Sequence, residues 1–172
     1  GNVTTDEITF NNDIVIKGTG DSVAIGKLAG ETGQDSFSVA LGNNAGNNQQ
    51  GTGAVAIGTS AGTTNQSNYS VAIGRQAGNN NQCEYAIALG NEAGQKNQGE
   101  NAIALGYGAG KTNQGNGSIA LGHEAGQTNL GTQSLALGAN TVCQHNQSVA
   151  LGYEATTTSD NQIVLGNSDA TV

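Results

Sequence analysis

The stretch Ser70-Val71-Ala72-Ile73-Gly74-Arg75-Gln76-Ala77-Gly78-Asn79-Asn80-Asn81-Gln82 decides the architecture, because most of the chain is built from copies of it. Its opening unit closes on Gly26, Gly42, Gly58, Gly74, Gly90, Gly106, Gly122 and Gly138 at a constant step of 16 residues, then on Gly152 and Gly166 at steps of 14. An Ala-Gly pair follows three residues after each closing glycine from Ala29-Gly30 to Ala125-Gly126, and Asn-Gln recurs at 65–66, 81–82, 97–98 and 113–114. A period this short has no room for a helix-containing repeat. It fits one coil of a narrow solenoid, with two short strands and two turns. Val and Ile favour strand, and glycine ends the strand and permits the turn. The expected fold class is all-β: a parallel β-roll or β-helix solenoid of about ten coils, some 48 Å long at ordinary strand spacing.

Alternation along each strand sorts the side chains into two faces. The branched pair, Val23 and Ile25 through Ile163 and Leu165, shares one face. Between its members lie Ala24, Ala40, Ala56, Ala72, Ala88, Ala104, Ala120, Ala136, Ala150 and, last, Val164. A strand apolar on both faces is buried on both. The expectation is that the branched residues fill the interior of each chain. The alanine strip, with Val164, would then be the surface that sister copies cover as an obligate homo-oligomer. Gln34, Gln50, Gln66, Gln82, Gln98 and Gln114 share a column, so the amide pairs are expected to stack as ladders along the axis.

The composition agrees with a thin, regular interior. The chain of 172 residues has 28 Gly, no Pro, Met or Trp, four Tyr and two Phe, and only 10% charged residues. Net charge is −8, with Lys17, Lys27, Arg75, Lys96 and Lys111 scattered. No basic patch is present to neutralise a phosphate backbone, which argues against a nucleic-acid partner. No apolar run is long enough to span a bilayer, so no membrane insertion is expected of this segment. No signal peptide is visible at the start, and the chain reads as a segment of something longer. Three regions are expected: N-terminal cap strands over 1–20, 16-residue coils over 21–138, and 14-residue coils over 139–172 leading to a neck or downstream domain. In the first, Glu7-Ile8-Thr9-Phe10 and Ile14-Val15-Ile16 read as strands, with turn chemistry at Asn11-Asn12-Asp13.

The unit Ser22-Val23-Ala24-Ile25-Gly26 and its copies, with Ala three residues on, resembles the YadA-like head repeat of trimeric autotransporter adhesins. The resemblance covers about residues 21–167. It implies a left-handed roll, a homotrimer, and an adhesive head on a bacterial outer-membrane or extracellular surface. The 16-residue coils with Ala-Gly and Asn-Gln exceed the 14-residue period of that family by two turn residues. They resemble the fibres of phages and large DNA viruses, and residues 160–167 are similar to the stretch that precedes a chaperone domain in some of them. The expected function is a rigid spacer and host-surface attachment segment of a viral fibre on the virion, with a bacterial adhesin head as the alternative.

Chemistry is sparse. Cys83 and Cys143 lie about four coils apart, roughly 19 Å, too far for an intrachain disulfide; free thiols favour assembly in a reducing compartment. His123 and His145 have no metal-site spacing, and neither a metal nor a cofactor is expected. Glu92, Glu124 and Glu154 share a column, and carboxylates about 10 Å apart could serve an inverting glycosidase such as a tail spike. The same column holds Leu28, Asn44, Ser60, Gln76, Gly108 and Asn140, so it reads as a varying solvent position and no catalysis is expected. Thr32, Thr64, Thr112 and Thr128 align as an ice-binding face would require, but Asn48, Asn80 and Lys96 interrupt them. The candidate contacts for a host glycan are Tyr69 and Tyr85 in one column and Tyr107, His123 and Tyr153 in another, since flat aromatic surface stacks on sugar rings at low entropic cost. A protein receptor is the alternative partner.

Overall fold

The computed structural model describes residues 7–10, 14–17 and 21–167. Strands β1 (Glu7–Phe10) and β2 (Ile14–Lys17) pair antiparallel, and β2 pairs antiparallel with β3 (Val23–Ile25). The turn expected at Asn11-Asn12-Asp13 lies outside the described residues. From β3 the main sheet grows as ten parallel strands, one per coil. They continue through β5 (Val39–Leu41), β7 (Val55–Ile57), β9 (Val71–Ile73), β11 (Ile87–Leu89), β13 (Ile103–Leu105) and β15 (Ile119–Leu121), then β16 (Leu135–Leu137), β17 (Val149–Leu151) and β18 (Ile163–Leu165). The second sheet holds β4 (Thr32–Gln34), β6 (Asn48–Gln50), β8 (Thr64–Gln66), β10 (Asn80–Gln82), β12 (Lys96–Gln98) and β14 (Thr112–Gln114). Each residue pairs with its copy one coil away, as Ala88 does with Ala72 and Ala104. The architecture is an all-β parallel solenoid, and the described residues contain no helix.

The two faces of the main sheet are exchanged relative to the sequence expectation. Ala24, Ala40, Ala56, Ala72, Ala88, Ala104, Ala120, Ala136 and Ala150 are each 0% exposed within a single chain, and Val164 packs on the same core. None of the nine alanines has surface left to offer a sister copy. The branched residues point outward instead: Val23 is 43% exposed, Leu105 40% and Leu151 39%. The physical reason is the width of the lumen. The side chains that project from the second sheet, Gln50 to Gln114 and then Leu130, take the space opposite, so only methyl groups fit on the facing wall.

Glutamine fills the rest of that lumen. Gln50, Gln66, Gln82, Gln98 and Gln114 are buried, projecting from the second sheet toward the alanines. The Gln50 Nε2 donates to Val39 O at 2.8 Å, Gln66 Oε1 at 3.2 Å and Ala54 O at 3.3 Å. Gln82 donates to Gln98 Oε1 at 3.0 Å. A buried amide without partners costs about 1–3 kcal/mol, so the flat carboxamide is tolerated because each rung supplies backbone carbonyls. The glycine four residues earlier makes the space. A Cβ on Gly78, at φ +50°, would stand 2.6 Å from Gln82 Oε1. Outside, Asn65, Asn81, Asn97, Asn113 and Asn129 form a continuous ladder of side-chain amide bonds of 2.9–3.0 Å.

The roll changes construction after β15. Leu130 takes the glutamine position, followed by Cys143 and Thr157, all buried. The glycine position becomes Val142 and Thr156, joined only by an isolated bridge, and the second sheet ends at β14. Strand register shifts from 16 to 14 residues between β16 and β17.

Candidate binding surface

The outward Val, Ile and Leu side chains of the main sheet form a stripe two residues wide and ten rungs long. At strand spacing it runs about 43 Å. Single exposed aliphatics are ordinary on a soluble surface, whereas a continuous apolar stripe marks an interaction face. The faces are therefore reversed relative to the sequence expectation: the chain covers its alanines itself, and the aliphatic stripe is left open in the single chain.

The five candidate glycan contacts occupy the two turns, at opposite edges of the roll. Tyr69 and Tyr85 stack with ring centroids 5.6 Å apart and planes 9° apart. Tyr107 and His123 stack at 5.1 Å and 18°. Tyr153 stands apart, 59% exposed, with Ala139 on the coil between it and His123. The structure thus makes two separate aromatic pairs and one lone ring. Tyr69 and Tyr85 both sit at φ +56°, a left-handed conformation shared along the whole column, by Gly53, Asn101 and Gly117 and equally by Phe37, Gln133, Gln147 and Asn161. A bulky residue there is strained by about 1–3 kcal/mol, a cost set by the turn geometry that every coil repeats.

Within the glutamate column, Glu92 is engaged in ion pairs. Glu92 accepts from Arg75 Nη2 at 3.0 Å and from Lys111 Nζ at 2.8 Å, linking three successive coils. The Lys111 hydrogen bond, followed by the charges of Lys111 and Arg75, holds its carboxyl below the usual carboxylate value. A glycosidase acid needs the opposite shift. Both cysteines are unpaired; burial pushes each thiol up, with Glu100 adding to the effect at Cys83. Among the described residues no helix is long and apolar enough to cross a membrane, and no cluster of three or more His, Cys, Asp or Glu could hold a metal.

Coil by coil, then, the molecule is a small-residue lumen closed by a β-strand that turns its branched side chains outward. Residues 50–77, 98–109, 130–155 and 146–168 match the model of the YadA head domain repeat. The fold is that of a YadA-like head. The crystal structure of the collagen-binding domain of the Yersinia adhesin YadA is similar to it, with a TM-score of 0.53 and 21% identity over 80% of this chain and 85% of that chain. No curated protein matches the chain in sequence.

Two features escaped the sequence reading. The glutamines line the interior, a role signalled by the constant Gly-to-Gln spacing of four residues that disappears where Val142 and Thr156 enter. At that same change of coil length a cavity of about 290 Å³ opens, lined by Glu124, Gln127, Thr128, Asn140, Thr141, Val142 and Gln144. No local motif announces it.

Proposed function

We propose that the chain is the adhesive head of a surface fibre, a rigid rod assembled from three copies along the aliphatic stripe and presenting its turns to a host surface. The observation that carries this reading is the ten-rung apolar face left uncovered in the single chain. An identical stripe on each copy is the economical cover, because every coil then contributes equally. No catalytic role is part of the proposal. The likeness to a Yersinia adhesin supports display on a bacterial surface, and the 16-residue coils support a virion fibre. A membrane-barrel anchor in the parent gene would select the first setting and a downstream chaperone domain the second. The receptor is read as a glycan engaged through Tyr69, Tyr85, Tyr107, His123 and Tyr153, with collagen as the protein alternative, since that is the ligand of the solved YadA domain.

Light scattering on the purified protein tests the assembly. The expected result is a trimer that Ile87→Asp with Leu89→Asp converts to a folded monomer, because a carboxylate in an apolar interface goes unpaired. A stable, monodisperse wild-type monomer overturns the reading. Tyr85→Gly is expected to reduce cell binding while leaving thermal stability equal or higher, since glycine removes the backbone strain.

A further inference from the structure

The column that follows the closing glycine carries Tyr107, His123, Ala139 and Tyr153 on successive coils. Tyr107 and His123 stack at 5.1 Å, one ring per coil. Ala139 then supplies only a methyl group, so between the levels of His123 and Tyr153 there is a gap of about two strand spacings, roughly 9.6 Å, with no ring in it. Both bounding rings are exposed.

The cavity opens beside this gap. Glu124 and Asn140, two of its lining residues, directly follow His123 and Ala139 in the chain. Its other walls are Gln127, Thr128, Thr141, Val142 and Gln144, so the slot adjoins hydroxyl and amide groups, one carboxylate and one aliphatic side chain. The cavity exists because the coil after β16 is two residues shorter and the second sheet has ended. Beside the gap, Glu154 raises the pKa of the Tyr153 phenol.

Apolar ring faces beside a polar pocket match the two sides of a pyranose: its C–H face stacks on aromatics and its hydroxyls hydrogen-bond outward. Glu124 and Glu154, on a chain of net charge −8, disfavour an acidic sugar and accept bonds from hydroxyl or ammonium groups. We propose that the coil-length step is a sugar subsite, in which one pyranose of an uncharged or amino-sugar glycan lies between His123 and Tyr153 over Ala139, its polar groups on Glu124, Asn140 and Gln144. This rests on the glycan reading above and names its location and sugar class.

The test is calorimetric titration of the assembled protein with a chitosan tetramer, N-acetyllactosamine and sialyllactose, repeated on Ala139→Tyr, Tyr153→Ala and Tyr69→Ala. Ala139→Tyr fills the gap at a half-exposed position whose column already accepts Lys27, Arg75 and Tyr107, so the fold is retained. The expected result is binding of the chitosan tetramer or N-acetyllactosamine but not sialyllactose. Ala139→Tyr and Tyr153→Ala should each lower affinity at least tenfold, and Tyr69→Ala should lower it by clearly less. Binding that survives Ala139→Tyr and is lost in Tyr69→Ala overturns the subsite and leaves the glycan reading standing. Preferred binding of sialyllactose overturns the sugar class. Absence of saccharide binding while the protein still attaches to cells overturns the subsite and the glycan reading together and leaves the adhesive head.

Discussion

The 16-residue coils and the 14-residue coils enclose the same kind of lumen by different means. The longer coil spends a glycine and a glutamine on it, the glycine making way for an amide that bonds to two carbonyls and, at several rungs, to the next amide. The shorter coil dispenses with both. Cys143 fills the space, its Sγ 3.4 Å from Ser148 O, and Thr157 does so one coil later. Two extra turn residues therefore bring a second sheet and an interior hydrogen-bond chain, and an interior of small side chains is the simpler solution.

The comparison breaks most violently where both regions agree, on the alanine wall. Ala88→Asp places a carboxylate in a lumen without a partner and should cost at least about 3–5 kcal/mol, seen as insoluble or unfolded protein by circular dichroism. A folded chain that merely fails to associate would restore alanine to the interface. Next comes Gln98→Ala, which leaves a hole and strips Gln82 of its acceptor; the expected loss is about 2–4 kcal/mol by chemical denaturation. Gln98→Leu, imitating Leu130, should lose less. Gly94→Ala adds a Cβ 2.6 Å from Gln98 Oε1 at φ +51° and should cost about 1–3 kcal/mol. The equivalent Val142→Ala, at an exposed site in a short coil, should stay within about 0.5 kcal/mol.

The smallest effect concerns Glu92. A carboxyl held below its unfolded value near 4.3 adds stability above that pH and loses it as pH falls through the depressed value. Arg75 is exposed and Lys111 partly so, so Glu92→Gln should lower stability by a few tenths to about 1 kcal/mol at neutral pH. The difference should vanish below the depressed value, and thermal melts from pH 7 to 2 would show it.

The coil, its strands and the stacking of the Asn column were legible in the sequence because they follow from period alone; the Gln column stacks too, but its amide bonds stop between Gln66 and Gln82 and between Gln98 and Gln114. The orientation of Val71-Ala72-Ile73 was not. Alternation says which residues share a face, and only lumen width says which face is inside. That width depends on Gln82 folding back over Gly78, a contact between two residues four apart whose meaning appears only once the coil is closed. The stacking of Tyr69 on Tyr85 was readable from their common column. The pocket beside Asn140 was not, since it arises from a mismatch between neighbouring coils.

Every strand of the main sheet after β3 meets its neighbour exactly one repeat away, in phase from Val23 to Ile163. Such a molecule is a ruler with interchangeable graduations. Excising residues 75–90 would join the ends of two equivalent coils and shorten the rod by about 4.8 Å, without disturbing the pattern on either side. Gene duplication or loss could therefore adjust how far the tip stands from its base, one notch at a time.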